Sequence, residues 1–151
     1  MSSVRKKEGF TVPIFSNGAT NNGLYGYTDI ARVTTPAVTV SARGTIGFSA
    51  IRTEPFLPIV RLITLIPDPI KITLSYLYYA LQKSELKNTG SNTPQLTVPD
   101  IKRYSIPLPP LEAQEKIVSA IEACEKEILK LENEKESLHG KTDAILKQYL
   151  F

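Results

Sequence analysis

The last quarter of the chain is a segment that constrains the fold strongly. Residues 112–151 contain no proline and only one glycine, Gly140. Apolar or small residues recur in this segment at heptad spacing, and the positions are Ile117, Ile121, Cys124, Ile128, Leu131, Leu138 and Ile145. These seven positions are called the seam below. A seam of this kind is typical of a long helix that pairs with another helix.

The length of this helix predicts that its partner lies outside the compact part of the chain. About 38 helical residues would extend for about 55 Å, whereas a domain of about 110 residues is about 30 Å across. The seam weakens toward its end, where Lys135, Thr142 and Tyr149 take its second position. Because Gly140 would cost about 1 kcal/mol inside a helix, the pattern leaves a kink or break at this residue open.

A proline-rich stretch, "IPLPPLE", precedes the helical segment. Pro110 suits the first position of a helix, where an N–H group is not needed. Pro107 and Pro109 hold the residues before them extended. The sequence therefore predicts a domain at residues 1–108, followed at residues 109–151 by a stiff proline elbow and a dimerisation helix.

The first 108 residues show mainly β-type patterns and one helical pattern. Strands are predicted at "TVPIF", "AVTVS", "IGFSAI" and "PIVRLITLIP", and the last run is expected to be covered on both faces. Leucine and tyrosine at helical spacing predict a helix over "ITLSYLYYALQKSELK". A polar loop, "NTGSNTPQL", and a short return, "VPDIKRYSI", follow. The fold class is predicted as α+β, a mixed β-rich domain followed by a long coiled-coil helix.

The charge is divided unevenly between these two parts. Residues 1–111 carry 12 Lys and Arg against 6 Asp and Glu, whereas residues 112–151 carry 6 against 9. The basic excess on the domain is compatible with a polyanionic partner. The single cysteine, Cys124, excludes an internal disulfide, and no apolar run is long enough to cross a membrane. A cytoplasmic protein without a membrane segment is therefore expected.

Motifs for catalysis are not found in the sequence. The chain has no phosphate-binding P-loop, no nucleophile elbow and no Cys/His metal-ligand spacing. It also lacks the Asn/Asp-Pro-Pro-aromatic motif of adenine methyltransferases. His139 has no Cys or Asp nearby in the sequence and is interpreted as a solvated helix residue. We expect a protein that is not an enzyme and needs no cofactor of its own.

Four stretches together carry a resemblance to a known family. They are "GYTD", "SARGTIG", "TGSNTPQLTVPDIKRYSIPLPPLEAQEKI" and "ILKQYLF". In this order and spacing they resemble the target recognition domain and following helix of type I restriction-modification specificity subunits. The resemblance implies recognition of double-stranded DNA and docking of methyltransferase and restriction subunits. S-adenosylmethionine and ATP would belong to those partners.

The resemblance also implies a mode of assembly. Such specificity subunits contain two recognition domains and two long helices that pair antiparallel, and this chain has one of each. Two copies would then form a homodimer that reads an interrupted palindrome. The segment before "VPIF" is shorter than in the family, which keeps a second interpretation open. In that alternative, the chain is a coiled-coil module that joins subunits and does not read DNA.

Candidates for base reading are polar residues in turns and loops, because Arg pairs well with guanine and Asn or Gln with adenine. They are Asn17, Asn21, Asn22, Arg43, Thr45, Lys87, Asn88, Ser91, Asn92 and Gln95. Asn and Gly also have a plain interpretation as turn formers, and Arg43 as the cap of a neighbouring strand.

Two further groups complete the candidates. Phosphate contacts are conceivable at Lys83, Lys87, Lys102, Arg103, Arg52 and Arg61, although scattered surface cations usually serve solvation. Stacking on bases or bonding to phosphate is conceivable at Tyr25, Tyr27, Tyr76, Tyr78 and Tyr79. Their spacing favours core positions for these tyrosines.

Overall fold

The fold is known from a computed structural model that describes residues 6, 8–59, 61–84, 86 and 95–150. The chain divides into two compact units, Met1–Gln114 and Glu115–Phe151. The predicted division into functional domains at residues 108 and 109 stays a prediction. The two units are described separately.

Six strands in the first unit form two three-stranded sheets. They are β1 (Val12–Phe15), β2 (Leu24–Thr28), β3 (Ala37–Ser41), β4 (Ser49–Arg52), β5 (Leu57–Pro58) and β6 (Leu62–Leu65). The strand order is β2-β1-β5 in the first sheet and β4-β3-β6 in the second. All pairs are antiparallel except β1 with β5, which is parallel.

Three α-helices and a short 3-10 segment, Thr20–Gly23, complete the described structure. The α-helices are α1 (Leu74–Lys83), α2 (Val98–Ile101) and α3 (Leu111–Leu150). The hydroxyl group of Thr73 caps α1 by accepting a hydrogen bond from Tyr76 N. The first turn of α3 belongs to the first unit, and the rest of α3 forms the second unit.

The core of the first unit lies between the second sheet and α1. All five residues of β3 are buried, since β3 is the central strand of its sheet. Val38 and Val40 pack with Leu77 and Leu81 of α1 and with Leu96. The apolar side chains of β3 therefore pack against those at helical spacing on α1. The α+β prediction is confirmed.

The prediction for "PIVRLITLIP" is wrong as a single strand. Arg61 adopts a left-handed backbone conformation with φ of +63°, and the run divides there. β5 pairs with β1 of the first sheet, whereas β6 pairs with β3 of the second. The residues of β6 are half-buried, and the strand buried throughout is β3. Apolar content alone therefore identified the wrong strand as the one covered on both faces.

The other strand predictions and the α1 prediction are confirmed, with changed ends. The hairpin "AVTVSARGTIGFSAI" pairs Ala37 with Arg52 and Val40 with Ser49. The loop glycine Gly44 has φ of +76°, as its turn requires. α1 ends at Lys83, earlier than its pattern predicted.

The first turn of α3 is fixed by a fully buried amide. Gln114 is 0% exposed. Its Oε1 accepts a hydrogen bond from Thr73 N at 2.9 Å, and its Nε2 donates to Lys71 O and Pro109 O, both at 2.8 Å. One side chain therefore connects the residues before α1 to the proline-rich stretch.

α3 is a continuous helix of 40 residues, so Gly140 does not break it. The helix begins at Leu111, one residue later than the prediction of Pro110 as its first residue. The carbonyl of Pro110 accepts hydrogen bonds from Ala113 N and Gln114 N. None of the described helices is both long and apolar enough to cross a membrane.

The seam residues of α3 are largely open to solvent in the single chain. Ile117, Ile128, Leu131, Leu138 and Ile145 are between 41% and 60% exposed. Cys124 is a free, exposed thiol, and Ile121 is half-buried. A row of exposed aliphatic side chains along a helix has the pattern of a surface that another helix can cover.

Candidate nucleic-acid interface

Three chain segments converge on Ala42, the residue after β3. Its N–H is shared between Asn17 Oδ1 at 3.0 Å and Arg61 O at 3.1 Å, and its C=O accepts from Leu96 N at 2.8 Å. Ala42 itself is 2% exposed. The backbone immediately before Arg43 is therefore fixed from both sides, although the Arg43 side chain is exposed.

An open concavity of about 550 Å³ is lined by two of these segments, those of Asn17 and Arg61, together with the residues that follow Ala42. Its polar lining includes Asn17, Tyr25, Arg43, Thr45 and Arg61. Both arginines and Thr45 are exposed, and Tyr25 is 65% exposed. Among the described residues that line it, none is acidic. This surface is called the arginine concavity below.

The chemistry of the arginine concavity suits a polyanion that also presents flat hydrogen-bonding edges. A guanidinium group can donate two parallel hydrogen bonds to a phosphate or to guanine O6 and N7. The aromatic ring of Tyr25 offers an apolar surface and a hydroxyl group beside them. Among the described lining residues no carboxylate competes for the two guanidinium groups, which favours their binding to a ligand.

Asn17 also has a structural role. Its side-chain oxygen already accepts the Ala42 N–H at 3.0 Å, and the neighbouring Gly18 N donates to Ser41 Oγ at 2.9 Å. Bidentate reading of adenine would require the same oxygen to accept a second hydrogen bond, in the orientation that the Ala42 N–H already imposes. The plain interpretation of Asn17 as a residue that shapes the loop therefore has direct support in the structure.

Asn21 and Asn22 face a different depression, of about 310 Å³, which also includes Lys6, Tyr27 and Glu54. Both asparagines are exposed. They adopt left-handed backbone conformations, with φ of +50° and +54°. Asparagine tolerates this conformation better than most residues, so the turn-forming interpretation is supported and does not prevent the side chains from binding.

The remaining base-reading candidates belong to the polar loop. Lys87, Asn88, Ser91 and Asn92 lie outside the described residues. Gln95, next to this loop, is half-buried and already has an interaction partner in the protein. The structure thus groups Asn17, Arg43 and Thr45 together and places Asn21 and Asn22 at a neighbouring depression.

Two expectations from the sequence are corrected. Arg52 cannot grip a phosphate on the surface, because it is only 4% exposed. Tyr25 is not a core residue, since it lies on the outer strand β2 with its side chain open to solvent. The position of Tyr25 on an edge strand depends on strand order, which the local sequence pattern does not contain.

The other candidates fall nearer to expectation. Tyr76 is buried and donates a hydrogen bond to Pro107 O at 3.0 Å, and Tyr78 and Tyr79 are half-buried. Lys83, Lys102 and Arg103 are exposed, and Arg103 lies 3.8 Å from Asp100. In the part of the chain that the structure describes, no cluster of metal-ligating side chains is found.

Comparison with known proteins identifies the family. The model of the type I restriction modification DNA specificity domain matches residues 1–138. A putative type I specificity subunit of Mycoplasma pneumoniae is 35% identical over 117 residues, which are 78% of this chain and 32% of that protein. A second one from the same organism is 37% identical over 120 residues, 80% of this chain and 36% of that protein. The chain thus spans about a third of the length of these two relatives.

Solved structures share the fold. The chain is similar, with a TM-score of 0.67 and 22% identity, to the HsdS subunit of Thermoanaerobacter tengcongensis, covering 87% of this chain and 34% of that one. A structure on assembly and conformational transition of the type I system gives a TM-score of 0.72 at 22% identity, covering 93% of this chain and 36% of that one. The family match and the shared fold agree with the resemblance carried by the motifs. The chain therefore belongs to the family of type I restriction-modification DNA specificity domains.

Proposed function

We propose that residues 1–108 recognise a DNA sequence for a type I restriction-modification complex. The observation that carries this proposal is the arginine concavity, in which Arg43 and Arg61 are exposed beside Tyr25 without a competing carboxylate among the described lining residues. Specificity subunits are the non-catalytic components of such complexes, and the chain is not an enzyme. Arg43 and Thr45 are assigned to base edges, and Arg61 to a phosphate.

The second part of the proposal concerns residues 109–151, as elbow and dimerisation helix. The exposed seam on α3 supports pairing with another helix, because solvent-exposed aliphatic residues at heptad spacing gain free energy when a second seam covers them. The proposed occupant is a second copy of this chain in antiparallel orientation. Two recognition domains related by a two-fold axis would read two half-sites of a bipartite palindrome.

The partners in this proposal are double-stranded DNA, a methyltransferase subunit and a restriction subunit. No cofactor is assigned to this chain. S-adenosylmethionine would be used by the methyltransferase subunit and ATP by the restriction subunit. The site of action is the cytoplasm, where such a complex meets chromosomal and incoming DNA.

The direct experiment is to co-express the chain with its neighbouring methyltransferase subunit in a host that lacks DNA methylation. After the complex is confirmed by purification, methylated adenines are mapped across the host genome. The expected result is methylation confined to one interrupted palindrome. Methylation absent from a confirmed complex would reject DNA reading by this domain.

The residue assignment is tested by two single variants in the same complex. Arg43→Ala should relax the preference at one base pair of each half-site, with a loss of about 1–3 kcal/mol of discrimination. Arg61→Ala should weaken binding to all sequences and reduce the slope of log K against log salt by about 0.9. Arg32→Ala, which removes an exposed arginine outside the concavity, is the matched control. Indistinguishable effects of all three variants would argue against the concavity.

The rival function is a coiled-coil module that joins subunits without reading DNA. The exposed seam favours it as much as it favours the homodimer. Ile121→Asp should dissociate the dimer under both functions, whereas Arg43→Ala together with Asn92→Ala should alter methylation only if the domain reads DNA. Salt separates them as well, because pairing through an apolar seam lacks the steep salt dependence of phosphate binding.

A further inference from the structure

A buried arginine connects the second sheet to the turn that carries Asn21 and Asn22. Arg52, at the end of β4, is 4% exposed. Its Nε donates to Thr39 Oγ1 at 3.1 Å, and its Nη2 donates to the backbone carbonyl of Asn22 at 2.8 Å. The guanidinium carbon lies 3.6 Å from the centre of the Phe15 ring. The side chain is thus held by a strand on one side and holds a turn on the other.

The placement of this charge is unusual. Buried cations are normally paired with a carboxylate, because an unpaired charge loses its hydration on folding. Within the described residues, no carboxylate lies within ion-pair distance of Arg52. Burial lowers the pKa of Arg52 to about 10, so that the group is still charged at neutral pH. Its hydrogen bonds to Thr39 Oγ1 and to the Asn22 carbonyl, together with its contact with the Phe15 ring, compensate for the lost water.

The turn that Arg52 holds is under conformational constraint. Asn21 and Asn22 are consecutive residues with positive φ, which is rare outside glycine. The turn closes through the hydrogen bond from Ser16 N to Gly23 O at 2.9 Å. A Cβ atom on Gly23 would lie 2.9 Å from Ser16 O and 3.5 Å from Arg52 Nη2, so the backbone passes close to the guanidinium group.

We infer that Arg52 is the positioning residue that sets the backbone of the Asn21–Asn22 turn for contact with DNA. This inference rests on the proposed function, since it takes the turn to be one of the surfaces that meet the duplex. Arg52 itself touches no DNA. It acts through the Asn22 carbonyl, whose position decides where the exposed side chains of Asn21 and Asn22 point.

The variant that isolates this role is Arg52→Lys. Lysine keeps the positive charge, but its single nitrogen cannot reproduce the planar fork that bonds Thr39 and the Asn22 carbonyl together. The matched control is Arg32→Lys, because Arg32 is an exposed arginine in the same unit. Both variants are prepared as the full chain in complex with the methyltransferase subunit.

The first readout is independent of DNA. Hydrogen exchange at the amides of Ser16 and Asn22, which are bonded to Gly23 O and Ala19 O, should accelerate about 10-fold or more in Arg52→Lys. The amide of Leu77 in α1 should keep its wild-type rate, which excludes global destabilisation as the cause. Unchanged exchange at Ser16 and Asn22 would overturn the inference whatever the DNA result.

The second readout is binding to the methylated motif identified for the wild type. We expect Arg52→Lys to lower specific affinity about 10-fold with non-specific affinity and salt slope unchanged, because no phosphate contact is lost. A fall in the slope of about 0.9 would instead mean a phosphate contact and would overturn the positioning role. Arg32→Lys should change neither affinity.

A double-mutant cycle gives the decisive comparison. If Arg52 acts through the turn, Asn22→Ala and Arg52→Lys should lower specific affinity by no more together than the larger single effect. Fully multiplicative losses would show that the two residues act independently and would overturn the inference. A wild-type complex without any DNA preference would reject the proposed function itself. A wild type that reads DNA, with an Arg52 variant that reads it equally well, would overturn only the role of Arg52.

Discussion

The buried amide of Gln114 allows a stability prediction to be worked from its contacts. Gln114→Leu keeps most of the side-chain volume but removes three hydrogen bonds, those with Thr73 N, Lys71 O and Pro109 O. Each hydrogen bond contributes about 1 kcal/mol net, and a buried group left without a partner costs about 1–3 kcal/mol. We therefore expect a loss of about 3 kcal/mol in the free energy of unfolding of the first unit.

Gln114→Glu tests the direction of the same hydrogen bonds. The variant places a carboxylate oxygen where Nε2 donated to two carbonyl oxygens, which raises the pKa of the introduced carboxyl group above its ordinary value. The folded state then holds the proton more tightly than the unfolded state. Stability relative to the wild type is greatest below the unfolded pKa of about 4.3 and falls as pH rises through the higher folded pKa. At neutral pH Gln114→Glu should therefore be about 1–2 kcal/mol less stable than Gln114→Leu.

Tyrosine fluorescence during urea unfolding is the appropriate assay. The chain has no tryptophan, and of its seven tyrosines only Tyr149 lies in the second unit, so the signal reports mainly on the first. Gln82→Leu and Gln82→Glu are matched controls at an exposed position of α1, and each should change stability by less than about 0.5 kcal/mol. If the stability loss of Gln114→Glu relative to the wild type did not change between pH 4 and pH 7, or equalled that of Gln82→Glu, the hydrogen-bond arrangement would be refuted.

Two further predictions concern residues with positive φ. Gly23→Ala should lower the free energy of unfolding by about 2–4 kcal/mol, since its Cβ would meet Ser16 O at 2.9 Å in addition to the backbone strain. Gly18→Ala, whose Cβ would meet nothing within 4 Å, should lower it by about 1–2 kcal/mol from backbone strain alone. Thermal unfolding measures the stability of both variants, and equal losses of stability would contradict the close approach of Gly23 to Ser16 O. Arg61→Gly should leave stability unchanged or raise it by up to about 1 kcal/mol, because glycine accepts the φ of +63° without strain. The same variant should weaken non-specific DNA binding, measured by the salt slope, and a stability loss without a binding loss would contradict the role of Arg61.

The sequence predicted those elements whose pattern is local. The apolar pattern of β3 and that of α1 each recur within a few residues, and the heptad seam predicted the helix α3 but left its continuity past Gly140 open. The burial of Arg52 was not predictable in this way, because it depends on the Asn22 carbonyl, 30 residues away in the chain. Arg61, a single cation within an apolar run, was a signal that the run breaks there. That the two parts of the run belong to different sheets follows only from the strand order.

The candidate site shows the same division between local and distant information. Arg43 and Thr45 were identified from a hairpin that is closed in sequence, and the structure places both at the arginine concavity. Tyr25 was assigned to the core because its spacing resembled that of buried strand residues, and only the edge position of β2 exposes it. Gln114 belongs to a motif that carried the family resemblance, but its three backbone partners were not visible in the sequence.

The backbone of the proposed reading surface is fixed largely by groups that do not themselves face DNA. Ala42, which precedes Arg43, is held by the Asn17 side chain and by backbone groups of Arg61 and Leu96. The Asn22 carbonyl is held by the buried Arg52. The exposed side chains of Arg43 and Thr45 can therefore be exchanged without removing the hydrogen bonds that hold the Ala42 backbone. If this surface reads DNA as proposed, substitutions at Arg43 or Thr45 should alter DNA contacts at little cost in folding, whereas substitutions at Asn21 or Asn22 should also carry the strain of a positive φ.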